Sequence, residues 1–118
     1  MASYSRTLLS GSTSGTPIPI AAIATAGTLL HTAVAGATSF DEIYVWFSNI
    51  TTSPATLTIE FGSVTDPGGH LVKSYSIPAN SPPIPIITGQ VLNGGLICRA
   101  FSGTASALNA SGYVNRIS

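Results

Sequence analysis

Residues 41–62 read DEIYVWFSNITTSPATLTIEFG, and their patterning decides the fold class. Two runs of alternating side chains flank a short Thr/Ser/Pro turn. In the first run Ile43, Val45 and Phe47 share one face, and Tyr44, Trp46 and Ser48 the other. A period of two is that of a β-strand. Both faces are bulky, which predicts a central strand covered on both sides. The second run alternates more cleanly, with Leu57, Ile59 and Phe61 inward and Thr56, Thr58 and Glu60 outward. The TTSP segment supplies turn chemistry, so the two runs are expected to form a hairpin. Neither carries a recognisable reactive group.

The same grammar extends in both directions. Gly, Pro, Ser and Thr punctuate the chain at short, regular intervals, as they do in all-β domains. Upstream, GTLLHTAV (Gly27–Val34) is a candidate strand. Downstream come a turn at TDPGG (Thr65–Gly69), a strand in HLVKSYSIP with Leu71, Lys73, Tyr75 and Ile77 on one face, and the Pro-rich NSPPIPIITG. A tight NGG turn (Asn93–Gly95) leads into LICRAFSG, and ASALNASGYVNRI closes the chain. No stretch sustains apolar residues at helical spacing; Ile20 to Leu30 comes nearest, and Gly27 and its threonines weaken it. The expectation is a single all-β sandwich, jelly-roll-like, of seven to nine short strands. Residues 1–26 read as an N-terminal arm and extended edge segment, and residues 27–118 as the β-sandwich domain. The arm is polar and rich in Gly, Ser and Thr, and is expected to order by contact. Alternate prolines in PIPIA suit an extended edge and forbid a central strand.

Composition bounds the function. The chain has 118 residues, enough for one modest core, and hydrophobic residues make up 44% of it. Charged residues make up only 7%, against roughly 25% in typical domains. Arg6, Lys73, Arg99 and Arg116 oppose Asp41, Glu42, Glu60 and Asp66, for a formal net charge of zero. Four scattered cations cannot build a phosphate-neutralising groove, so nucleic acid is not an expected partner. A neutral surface with so few charges favours self-association, because net charge is what normally keeps proteins apart. Mean hydropathy of +0.42 argues against disorder. The N-terminal fifteen residues hold no apolar run long enough for a signal peptide. Pro17–Ala37 has the length of a membrane span. Its two prolines, Gly27, His31 and alanine-heavy apolar content make it a poor one, and no membrane is expected.

The chemistry-bearing residues are sparse. Cys98 is the single cysteine and sits in an apolar run, where it reads as a small hydrophobe. His31 and His70 fall on different expected strands without a Cys or acid at ligand spacing, so no metal or cofactor is expected. Asp41-Glu42 reads as a solvated strand end and lacks the dense oxygen ligands of a calcium loop. No G-x-S-x-G elbow, phosphate loop or dinucleotide fingerprint occurs. A glycosidase pair would have to combine Asp41 or Glu42 with Glu60 or Asp66, and nothing in the pattern favours it over strand-surface placement. Asn49-Ile50-Thr51 and Asn109-Ala110-Ser111 match the glycosylation pattern, which chance explains in a chain this rich in Asn, Ser and Thr. Trp46, Tyr44 and Tyr75 could stack on sugars; the plainer reading makes them core or interface anchors.

The second half carries a recognisable pattern. Ser76-Ile77-Pro78-Ala79-Asn80-Ser81 leads through an apolar, Pro-rich run to Val91-Leu92-Asn93-Gly94-Gly95-Leu96, then Arg99-Ala100-Phe101-Ser102-Gly103, then Asn109 to Ile117. With DEIYVWFSN and LTIEFG upstream, this resembles short virion proteins of tailed double-stranded DNA phages, of the capsid decoration or cement type. The resemblance spans Gly27 to Ile117 and lies in strand-and-turn pattern; it includes no catalytic signature. It implies a non-enzymatic protein on the outer surface of the phage head, made in the host cytoplasm, with the major capsid protein and its own copies, as a trimer, for partners. Neck, tail or fibre-base components share the pattern, and a carbohydrate-binding jelly roll is the other class. For a clamp of this kind the arm offers Tyr4, Leu8 and Leu9 as anchors to capsid or a neighbouring subunit, with Arg6 pairing to a carboxylate. Pro17 and Pro19 would keep its exit extended and limit the entropy lost on docking.

Overall fold

A computed structural model describes residues 3–65 and 68–118. Among them are nine strands and no helix: β1 (Tyr4–Leu8), β2 (Ile18–Pro19), β3 (Thr28–Thr32), β4 (Phe40–Asn49), β5 (Ala55–Phe61), β6 (His70–Ile77), β7 (Ile84–Leu92), β8 (Ile97–Ser102) and β9 (Leu108–Ile117). One sheet has the order β1-β9-β4-β7, with β2 pairing β9; the other has the order β3-β8-β5-β6. All pairings are antiparallel and they nest: β1 and β2 with β9, β3 with β8, β4 with β7, β5 with β6. The all-β sandwich and its strand number are as expected from the sequence.

Alternation builds the interior. Ile43, Val45 and Phe47 of β4 are fully buried and face Leu57 and Ile59 of β5 across the sandwich, with Ile87, Leu108, Ala110 and Val114 from one sheet and Ile77, Cys98 and Ala100 from the other. Each large aliphatic or aromatic side chain removed from water in this way stabilises the fold by about 1.5–3 kcal/mol. Cys98 is one of these packing residues, and burial pushes its thiol pKa up to about 12.

The quoted stretch does not form the expected hairpin. β4 and β5 lie in different sheets, because their apolar faces satisfy each other only when opposed across the core. Asn49 fixes the crossing. Its Nδ2 donates to the carbonyls of Ser53 (2.9 Å) and Ile77 (3.2 Å), and its Oδ1 accepts from the Thr51 amide and hydroxyl. That amide is buried and engaged, which accounts for the Asn49-Ile50-Thr51 motif without a glycan. The NGG turn also crosses between sheets, from β7 to β8, with Gly94 and Gly95 at φ 70° and 71°. The hairpin proper is β5–β6. Asp66 and Pro67 of its TDPGG turn lie outside the described residues, and Gly69 N–H donates to Thr65 C=O (2.7 Å).

Residue 26 marks no structural break. The stretch read as an arm supplies an edge strand, and Leu9, Ile18 and Ile20 are core residues. The reason lies in those side chains: they fill the open side between the two sheets, where Gly11 N–H donates to Leu30 C=O (2.9 Å). Three exposure expectations fail as well. Asp41 and Glu60 are fully buried, and Tyr44 and Trp46 are only partly buried, because their side of β4 packs on Tyr113 and not under a further layer. In β6 a bulge around Lys73 and Ser74 (φ 51°) breaks the even alternation read from HLVKSYSIP, so Val72 packs on the core and Leu71 is exposed.

Candidate functional site

The uncovered surface is the outer face of the β1-β9-β4-β7 sheet. Strand alternation sends Tyr44 and Trp46 of β4 to this face, and the register places Tyr113 of β9 directly opposite Tyr44. The two tyrosine rings stack with centroids 5.1 Å apart and planes 22° from parallel; Trp46 lies 6.0 Å from Tyr113. From the other side of β9, the Arg6 guanidinium lies 4.4 Å from the Tyr113 centroid, a cation–π contact. The phenol of Tyr44 runs along a bulge in β7: Gly89 has φ 100°, and a Cβ there would come within 3.2 Å of the Tyr44 Oη. Three of the four tyrosines and the single tryptophan thus share one face with only Arg6 and Glu42 as charges. Tyr4 Oη donates to Glu42 Oε1 (2.9 Å), and that bond pushes the phenol pKa up.

Tyr113 has Tyr44 on one flank and Arg6 on the other, which leaves it no open ring face for a pyranose. Aromatic and Arg residues with few other charges are the composition of a protein interface core. At one end of the same sheet Phe40, Val91, Leu92 and Asn93 line a shallow depression of about 190 Å³. Val91 and nearby Leu96 are exposed.

Two buried acidic sites remain to be tested for chemistry. Asp41 accepts from Arg116 Nε at Oδ1 (2.8 Å), and from Arg116 Nη2 (3.0 Å), Val34 N–H (3.1 Å) and His31 Nε2 (2.7 Å) at Oδ2. Burial pushes the Asp41 carboxyl pKa up, but the Arg116 and His31 hydrogen bonds outweigh it and hold the group below its ordinary value. The same contact raises Arg116. His31 Nδ1 accepts from the backbone N–H of Ser10 (3.0 Å), so its ring proton sits on Nε2, facing Asp41. Ser, His and Asp therefore meet here without forming a nucleophilic triad. The Ser10 hydroxyl oxygen instead accepts from Thr32 N–H (2.6 Å), and His31 is buried with both ring nitrogens engaged. Glu60 accepts from Gly27 N–H (2.7 Å) and Thr25 Oγ1 (2.8 Å), with His70 Nε2 4.0 Å from Oε2. No group of three or more potential metal ligands occurs among the described residues, and no helix there is long and apolar enough to cross a membrane.

The residues singled out for the arm are separated by the fold. Tyr4, Arg6 and Leu8 lie on exposed β1; Leu9 is core; Pro17 and Pro19 are exposed, with Pro19 in the two-residue pairing with β9. Within the chain, Arg6 lies over the Tyr113 ring. Tyr113 was missed from the sequence; the alternation in NASGYVNRI that places it outward was the available signal. No protein-family model matches the chain, and no curated protein matches it.

Proposed function

We propose that this is a non-enzymatic capsid decoration (cement) protein of a tailed double-stranded DNA phage, which binds the outer surface of the major capsid protein shell and stabilises the head. The observation that carries the reading is the outer face of the β1-β9-β4-β7 sheet, with Tyr44, Trp46, Tyr113 and Arg6 together and a single acid beside them. Such a face works by contact area, and many copies with modest interfaces reinforce a lattice through avidity. The strand-and-turn resemblance over Gly27–Ile117 is what supports the phage head as the particle. The nested strand pairing supports the jelly-roll-like winding expected from the strand pattern. Self-association, with three copies as the resemblance implies, would cover further neutral surface.

Neck, tail or fibre-base placement would use the same face against a different neighbour. A carbohydrate-binding role is less well supported, because Tyr113 is flanked on both sides. The test is co-sedimentation of the purified protein with phage shells that lack it. Saturable binding is expected, with Trp46→Ala weakening it at least tenfold, as loss of an interface anchor of about 2 kcal/mol does. Failure to bind shells, with retention on an oligosaccharide column, would sink this reading in favour of the carbohydrate one.

A further inference from the structure

Each sheet of an open sandwich has two edges, and an unpaired edge is a template for another strand. Three of the four edges here are blunted. Pro85 interrupts the donors of β7, which is also bulged at Gly89. The pairing of β6 shifts register twice. The edge of β3 is covered by the Ser10–Gly11 segment, which bonds Leu30 and Thr32. β1 has none of these devices: its five residues pair with β9 in unbroken register and contain no Pro or Gly.

The hydrogen-bond phase of β1 gives the chemistry of its free edge. Ser3 and Ser118 exchange both bonds, N–H to O at 2.7 and 3.0 Å. In an antiparallel pair such positions alternate with outward-facing ones, so Ser5 and Thr7 also bond inward to β9. The N–H and C=O groups of Tyr4, Arg6 and Leu8 therefore point away from the sheet. Tyr4 and Leu8 are 65% and 53% exposed, while the Arg6 side chain is drawn back over the Tyr113 ring. Among the described residues nothing pairs with this backbone edge, and the one charged side chain of β1 leans away from it.

We propose that β1 pairs antiparallel with β1 of a second copy about a two-fold axis at Arg6, joining the two sheets into one. This register sets Tyr4 opposite Leu8 of the second copy at both ends and lets all three outward residues exchange both backbone bonds. The second copy is favoured because this register pairs the exposed Tyr4 and Leu8 at both ends, because Arg6, which meets its own copy at the axis, is drawn back over Tyr113 away from that like charge, and because the chain carries no net charge to oppose association. The contact is independent of any shell and goes beyond the proposed function.

The decisive variant is Arg6→Pro. Its N–H points outward, so the substitution leaves the β1–β9 bonds in place while removing a donor from the free edge. Sedimentation equilibrium of the isolated wild-type protein is expected to give an even multiple of 12.0 kDa, and Arg6→Pro half that mass. Amide exchange followed by NMR on the wild type supplies a reading that does not depend on the variant folding. The Tyr4, Arg6 and Leu8 amides are expected to be protected, and increasingly so with concentration. A wild-type monomer or an odd multiple such as a lone trimer, a mass unchanged by Arg6→Pro, or fast exchange at those three amides at every concentration would overturn the proposal. A wild-type protein of the expected even-multiple mass that fails to bind shells would count against the proposed function alone.

Discussion

Asp41 and Glu60 are both fully buried acids in a chain that has only four, yet they are held in opposite ways. Asp41 meets a cation and a histidine: Arg116 from β9 of its own sheet and His31 from β3 of the other. It is a clamp between sheets. Glu60 takes its two short hydrogen bonds from neutral donors just before β3, Gly27 N–H and Thr25 Oγ1, with His70 Nε2 farther off at 4.0 Å and no arginine bonded to it. It is a pin between a strand and the loop beside it. The comparison teaches that this protein spends its scarce charges on architecture: a buried carboxylate survives where donors converge on it. What is left outward, on the β1-β9-β4-β7 face, is almost uncharged.

The largest effect that would break this comparison is expected from Asp41→Ala. It strands Arg116 and His31 together, and losing one partner of a buried pair costs about 3–5 kcal/mol. The lower end applies, since Arg116 is 35% exposed and can recover water. Urea denaturation should show it as a lower midpoint at unchanged slope; a midpoint shift under a third of that size would show that the clamp is not structural.

Acid should test the Asp41 clamp next. The Asp41 pKa is lowered in the folded protein, so its contribution to stability is fully present above the unfolded carboxyl value of about 4. It is lost as pH falls through the lower, folded value. The stability gap between wild type and Asp41→Asn should therefore close on acidification. A gap that stays constant down to the acid limit would mean that the Arg116 contact does not favour the ionised form.

The smallest effect is expected from Glu60→Gln. Its carbonyl oxygen can still accept from Gly27, and the Thr25 hydroxyl can turn to accept from the new amide, so the loss should be about 1 kcal/mol. Thermal unfolding of this variant beside Asp41→Ala measures the difference between clamp and pin directly. A larger loss from Glu60→Gln than from Asp41→Ala would reverse the ranking argued here.

The sequence by itself determined the class of fold. Alternation in EIYVWFSN and ATLTIEFG, turn residues between short apolar runs and the lack of a helical period sufficed, because strand periodicity is a local property. It also marked Tyr44 and Trp46 as sharing a face opposite Ile43, Val45 and Phe47. Only the tertiary structure decided which strands pair. The β4–β5 connection looks like a hairpin loop in sequence and is a crossing in the fold, because only opposition across the core buries both apolar faces. It likewise drew Asp41 and Glu60 out of water. The donors that satisfy them, Arg116, His31 and the Thr25–Gly27 loop, are distant in sequence for Glu60 and for the Asp41–Arg116 pair. The segment before residue 27 became part of the sandwich for the same reason: Leu9, Ile18 and Ile20 find their neighbours only once the two sheets have closed.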